Sequence, residues 1–410
     1  MRRNRYASMR SVLGVDRRAF LKALGTASAV AAGGVVLGIP GLHAEEGAAP
    51  PKPPADVETN LADFTKVPRG PHAIPGPFPG RVVQVTDARC LKDDKVDAKV
   101  VAEMVEKGIT TLTGKGSKKS FGMLFDRSDV VGIKINPVGP PLMCSKPEVV
   151  AALIAWLEKN GVPRRNIVIW DRFDDMLKEA GYTAERFPGV KIESLQTMAE
   201  EGKSFRDAKG DHVSAGNFDR KVYYFAKGIV GKGVPGYKDD EYYLNQHIVN
   251  DEYSYFGKLV TERLTKIVNV AVFKNAGPGI SMATKNLGYG AICNTGRLHA
   301  PLGFRVCTEV LAAPAVRDKL VLNVIDGIRG QYDDGPMMNE KFVYPLQTLY
   351  FATDPFALDR IGHDQIVEKR RAMEIKVVDL PRYTDYFAQA EKLGLGVGDP
   401  AKIRLVRVEA

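Results

Sequence analysis

Short apolar runs alternate with amphipathic stretches along most of this chain, and that rhythm restricts the fold more than any other feature. VVQVTDA (82–88), DVVGIKIN (129–136) and NIVIWD (166–171) read as strands, with VDAKVVAEMVEKGI (96–109) and SKPEVVAALIAWLEKNG (145–161) between them as helices. In the second helix Ser145 is the expected N-cap, Pro147 occupies the first turn and Gly161 marks the stop. DDMLKEAGY (174–182) follows as a short helix. The pattern resumes with LTKIVNVAVFKN (264–275) as a strand, CTEVLAAPAVRDK (307–319) as one helix and LVLNVIDGI (320–328) as a strand. LQTLYFATD (346–354) is a further strand, PFALDRIGHDQIVEKRRA (355–372) a helix and KIRLVRVE (402–409) an edge strand. Strand, helix, strand in this order predicts right-handed crossovers, hence an α/β fold with a mostly parallel sheet flanked by helices. With 410 residues, 44% of them hydrophobic, the chain has the means to bury such a core.

Before this rhythm begins lies a leader. DRRAFLKALG (16–25) sets Arg17 and Arg18 ahead of Phe20 and Leu21, and the mildly apolar ASAVAAGGVVLGIPGL follows. That arrangement predicts a twin-arginine export signal over residues 1–44, with the twin-arginine translocase as a partner, cleavage near Ala44 and periplasmic delivery. An uncleaved anchor is the alternative. Because a stable span needs about 20 strongly apolar residues and this stretch is glycine-rich, no stable membrane span is expected after cleavage. Residues 45–80 read as a Pro/Gly-rich linker, and the folded domain is expected from Arg81 to the C-terminus.

The formal charge of +9 resides largely in the leader, where seven basic residues meet one acid, leaving 51 basic against 48 acidic in the rest. No basic and aromatic binding motif accompanies it, so the composition argues against a nucleic-acid partner. Cys90, Cys144, Cys293 and Cys307 are widely spaced without a C-x-x-C pair. This argues against an iron–sulfur cluster; buried thiols are favoured over a Cys293–Cys307 bridge. Within the irregular insertion at about 203–260 fall seven of the fifteen tyrosines: 223, 224, 237, 242, 243, 253 and 255. Such a segment serves as a lid or partner surface, or packs as an excursion over the sheet.

The stretch KNAGPGISMATKNLGYG (274–290) ends a strand in a flexible loop with Lys-Asn twice. Lysine supplies positive charge, Asn both donor and acceptor, and Gly allows close backbone approach, a set that suits an anion; a basic surface loop is the alternative. In parallel sheets, ligands gather beyond the C-terminal strand ends. At such ends stand Lys134 and Asn136, Lys274 and Asn275, Asp326, and Asp354, with Lys285 and Asn286 on the loop. Lys285 and Asp326 are the expected catalytic groups; Lys134, Asn136, Lys274, Asn275, Asn286 and His299 are the expected ligand-binding set. Asp354 and Asp359 suit a hard divalent cation, which leaves the cofactor itself unknown. Asp354-Pro355 also reads as an N-cap with a first-turn proline, and Asp326-Gly327 as a turn. GKGS (114–117) lacks the phosphate-loop spacing.

Three blocks resemble the domain-of-unknown-function 362 family: VVGIKINPVGPPLMCSKPEVVAALIAWLEKNGVPRRNIVIWDR, IVNVAVFKNAGPGISMATKNLGYG with the following His299, and LVLNVIDGIRGQYDDGP with FATDPFALDRIG. Together they span roughly residues 81–408. The resemblance implies an α/β domain, often exported, sometimes joined to a ferredoxin module whose cysteines this sequence lacks, and it implies no settled activity. Two functions follow as expectations. One is an exported enzyme that binds and transforms a small anionic metabolite at the C-terminal edge of the sheet. The other is a non-catalytic periplasmic binding or assembly protein that uses the Tyr-rich insertion.

Overall fold

Among the residues that the computed structural model describes, 57–197, 212–230, 248, 251–378 and 380–410, the strand and helix rhythm closes into one large twisted sheet. The strands are β1 (Arg81–Thr86), β2 (Leu91–Lys92), β3 (Lys95–Val96), β4 (Val131–Lys134), β5 (Ile167–Phe173), β6 (Lys191–Gln196), β7 (Phe218–Phe225), β8 (Tyr253–Gly257), β9 (Lys266–Ala276), β10 (Gly279–Ile280), β11 (Leu320–Gln331), β12 (Val343–Ala352) and β13 (Arg404–Glu409). The main sheet runs β13-β1-β12-β11-β9-β4-β5-β6, with β10 folded back antiparallel on the end of β9. Every pairing along that order is parallel except the two made by β12, which runs against both β1 and β11. The fold is therefore α/β with a mostly parallel sheet, and β13 and β6 are its edge strands.

Central parallel strands are covered on both faces, so they read as continuous apolar runs. β9 is buried along its whole length. Alternation sends Ile267, Ala271 and Phe273 to one face and Val268 and Val270 to the other. The second face is covered by helices Ala98–Thr113 and Pro147–Lys159. In the first of these, Asp97 accepts from the Lys99 and Val100 amides at its start, and left-handed Gly114 (φ 68°) ends it. Its buried Val101, Met104, Val105, Ile109 and Leu112 follow helical spacing, and each contributes roughly 1.5–3 kcal/mol by leaving water. The opposite face carries helices Ala283–Gly288, Arg305–Ala312, Pro355–Ala372 and Asp385–Lys392.

Several expectations change. Ser145 is not the N-cap of the Pro147–Lys159 helix: its hydroxyl donates to Val270 O (2.7 Å) and accepts from Asn136 N (2.8 Å), while Lys146 stands at the cap position. The segment 307–319 is two helices, Arg305–Ala312 and Pro314–Arg317, because Ala313 before the proline is extended (φ −62°, ψ 131°). Packing also starts earlier than Arg81. Helix Leu61–Lys66 precedes β1, and Val57, Phe64 and Ile74 are buried, so the described part of the expected linker is built onto the core. Of the insertion, 203–211, 231–247 and 249–250 lie outside the described residues, and with them Tyr237, Tyr242 and Tyr243; the rest forms the β7–β8 hairpin. There Tyr224 is buried and its hydroxyl donates to Glu309 (2.7 Å). All four cysteines are free and buried. No helix among the described residues is long and apolar enough to cross a membrane.

Candidate functional site

The parallel strands β4, β5 and β9 end on the same edge, and there the expected lysines separate into two kinds. Lys134, at the end of β4, is buried and spends its ammonium on interior acceptors: Asp171 on β5, Ile135 O (2.7 Å) and Asn286 Oδ1 (3.0 Å). Burial lowers its pKa, and the Asp171 carboxylate opposes that shift. Gly290 makes room for this cluster, since a Cβ there would stand 2.3 Å from Asn286 O and 2.9 Å from Lys134 Nζ. Lys274, near the end of β9, donates to Asn136 Oδ1 (3.1 Å), Val138 O (2.7 Å) and Met143 O (3.2 Å). It thereby ties the 136–143 loop to the sheet. Burial brings its pKa down to about 7.

Lys285 is of the other kind. It sits in helix Ala283–Gly288, half-buried, and makes no hydrogen bond or ion pair with any described residue. Its Nζ lies over the rings of Tyr289 (5.8 Å) and Phe304 (6.0 Å). Burial lowers its pKa as well. The helix that carries it is held from two directions. Asp359 accepts from Ala283 N (2.7 Å), Thr284 N (2.9 Å) and Thr284 Oγ1 (2.6 Å), while Asn286 bonds Lys134 and also donates to Asn269 Oδ1 (2.8 Å).

Around Lys285 opens a cleft of about 460 Å³, a volume that includes the solvent at its mouth. Ala276, the last residue of β9, and Pro278 just past it form one side; Tyr289, His299, Gly303 and Phe304 form another; Arg382 and Tyr383 complete it. Two of these residues are cations and none is an acid. Tyr289 donates to Gly303 O (2.7 Å), and its ring lies 4.1 Å from that of His299. His299 Nδ1 is 3.1 Å from Thr295 O. A carbonyl can only accept, so Nδ1 carries the proton of the neutral ring and Nε2 keeps its lone pair. Burial, reinforced by the Lys285 charge, brings the His299 pKa down to about 3, so the imidazole is neutral at physiological pH.

The expected residues thus divide. Lys285 and His299 line the cleft together. Lys134, Asn136, Lys274, Asn275 and Asn286 are joined within the framework behind it; Asn275 accepts from Gly335 N (3.0 Å) and donates to Gly277 O (3.1 Å). Asp326 accepts from Lys146 N (2.6 Å) and Ile328 N (3.1 Å), so it caps the Pro147–Lys159 helix from across the sheet, and burial raises its pKa. Asp354 accepts from Phe356 N and Ala357 N at the start of its own helix and from Gly80 N and Val397 N. Burial pushes it up to about 6 and Asp359 up to about 7. Each oxygen of Asp354 and Asp359 accepts at least one backbone N–H, so both carboxylates serve the framework. No group of three or more His, Cys, Asp or Glu side chains suited to a metal occurs among the described residues. Asp171, Arg382 and Tyr383 entered the arrangement unforeseen. Asp171 ends NIVIWD, a position at which strand-end carboxylates signal themselves; PRY at 381–383 carries no signal of its own.

No curated protein matches the chain. A crystal structure of a protein from Thermotoga maritima resembles it with a TM-score of 0.36 and 11% identity, over 71% of this chain and 63% of that one. The family model described as Domain of unknown function (DUF362) matches residues 238–364, a span that holds β9, the Lys285 helix, His299 and Asp359 but not β4 or β5.

Proposed function

We propose that the cleft beyond the end of β9 binds a small organic anion, and that the chain is an exported protein built around this site. One observation carries the reading: Lys285 presents positive charge to a cleft in which no acidic residue answers it. A half-buried ammonium without a counter-charge is costly, and an anionic ligand relieves that cost. Arg382 adds a second, permanent charge, the aromatic walls favour an organic ligand over a bare inorganic ion, and neutral His299 adds polarity without charge. Because the framework lysines are already satisfied, recognition rests on Lys285 and Arg382. The Arg17-Arg18 leader supports delivery by the twin-arginine translocase, with cleavage near Ala44.

The test titrates a panel of pyruvate, citrate, benzoate and phosphate against the mature protein by ligand-observed NMR. Lys285→Gln should weaken the best binder by about 5- to 150-fold, the scale of one charged hydrogen bond, while the melting temperature stays put. Binding unchanged by that substitution, or no binding of any panel member, would sink the reading.

A further inference from the structure

We propose that Lys285 is a nucleophilic amine that condenses with the carbonyl carbon of a small oxo acid, whose carboxylate Arg382 holds in the same cleft. The inference rests on the anion-binding reading and names its ligand class and chemistry.

The contrast among three lysines carries it. Lys134 and Lys274 each donate to three oxygen acceptors, so each amine is engaged in holding the fold. Lys285 stands instead beside the ring faces of Tyr289 and Phe304 and near the Cys307 thiol, and no described residue accepts a hydrogen bond from it. An amine so placed loses its third proton more readily than a solvated one, and burial acts in the same direction. The neutral form has a lone pair, on a side chain that lines the cleft. Its carrier is rigid, because Asp359 fixes the first turn of the helix and Asn286 fixes the next. A nucleophile needs this kind of positioning.

The second charge distinguishes the ligand. Arg382 lines the cleft with its guanidinium over Tyr383 (5.2 Å) and no ion pair among the described residues. Its planar fork suits a carboxylate, and it remains charged whatever Lys285 does. A ligand with a carboxylate for Arg382 and an adjacent carbonyl for Lys285 uses both cations differently. Condensation balances without any further reagent: the amine nitrogen bonds the carbonyl carbon to give a carbinolamine, and the two nitrogen protons leave with the carbonyl oxygen as water. The product is an imine.

Borohydride trapping of the mature protein decides the matter. With pyruvate and sodium borohydride, peptide mass mapping should show one dominant reduced adduct on the peptide containing Lys285. Lactate, which has the carboxylate but no carbonyl, should protect against labelling and form no adduct. Lys285→Arg, which keeps the charge, should abolish the adduct with the melting temperature unchanged. Arg382→Gln should slow trapping by pyruvate at least tenfold yet leave trapping by neutral propanal within twofold. Labelling spread over surface lysines as readily as over Lys285, or no labelling at all, overturns the inference. If pyruvate still binds in that case and Lys285→Gln weakens it, the anion site stands without the covalent step.

Discussion

Lys134 and Asp171 meet end to end inside the protein, joining β4 to β5 with side chains only 2% and 7% exposed. The same ammonium reaches Asn286, so one buried pair links the sheet edge to the helix that displays Lys285. Removing one partner of such a pair strands the other charge in a low-dielectric interior. Lys134→Met should therefore cost about 3–5 kcal/mol by urea unfolding at constant m-value. Adding Asp171→Leu should recover a large part of that loss. A single variant within 1 kcal/mol of the parent, by the same measurement, would show that the pair is not held as described.

Lys274 gives a pH signature. Burial lowers its pKa from 10.5 to about 7, so between those values the folded state releases a proton that the unfolded chain keeps. Its contribution is then fullest above about pH 10.5 and is lost as pH falls through about 7. The stability of the parent relative to Lys274→Met should rise from pH 7.5 to 9.5, by at most about 1.4 kcal/mol per pH unit. Taking the difference cancels every other group whose titration the substitution leaves alone. A difference flat with pH would mean that Lys274 stays charged in the folded protein.

The central strands were legible because β9 and β11 are mostly apolar runs, and Asp354-Pro355 announces a helix start that the structure places there, whereas the edge strand β6 was not foreseen. Strand direction was less legible. β12 reads like its neighbours in composition, and nothing in a period-2 pattern states that it runs antiparallel. The prolines and glycines of residues 57–80 suggest a tether, yet Val57, Phe64 and Ile74 are buried and seat the segment on the core. At the site, Lys285 and His299 stood out as a loop lysine and a nearby histidine. Arg382 reaches them only through the fold, from nearly a hundred residues downstream of Lys285. The aspartates were conspicuous at strand ends and helix starts for a different reason, since capping needs the same residue type at the same place as catalysis does.

Gly108 tests the packing behind the sheet. It faces Phe351 of β12, and a Cβ at this position would lie 2.2 Å from the Phe351 ring. Both residues are buried, so neither has room to yield. Although Gly→Ala in a helix is ordinarily favourable by up to about 1 kcal/mol, here overpacking should dominate, with a net loss of about 1–3 kcal/mol. Phe351→Leu in the Gly108→Ala background should restore part of the stability in a thermal melt. Additive losses for the two changes would place the clash elsewhere.

The last prediction concerns where the protein works. If Arg17 and Arg18 are read as a pair by the twin-arginine translocase, replacing both with Lys keeps the leader's charge and its apolar stretch while changing the side chains the translocase recognises. Arg and Lys are not equivalent for such recognition, because only the guanidinium presents a planar fork of donors. The double variant should accumulate in the cytoplasm and be absent from the periplasmic fraction. Its cytoplasmic form should unfold at the same urea concentration as the leaderless protein, since the leader precedes every described element. Cell fractionation with an antibody against the mature chain measures both forms, distinguished by the leader's mass. Undiminished periplasmic accumulation of the double-lysine variant would remove the twin-arginine route, whatever the cleft binds.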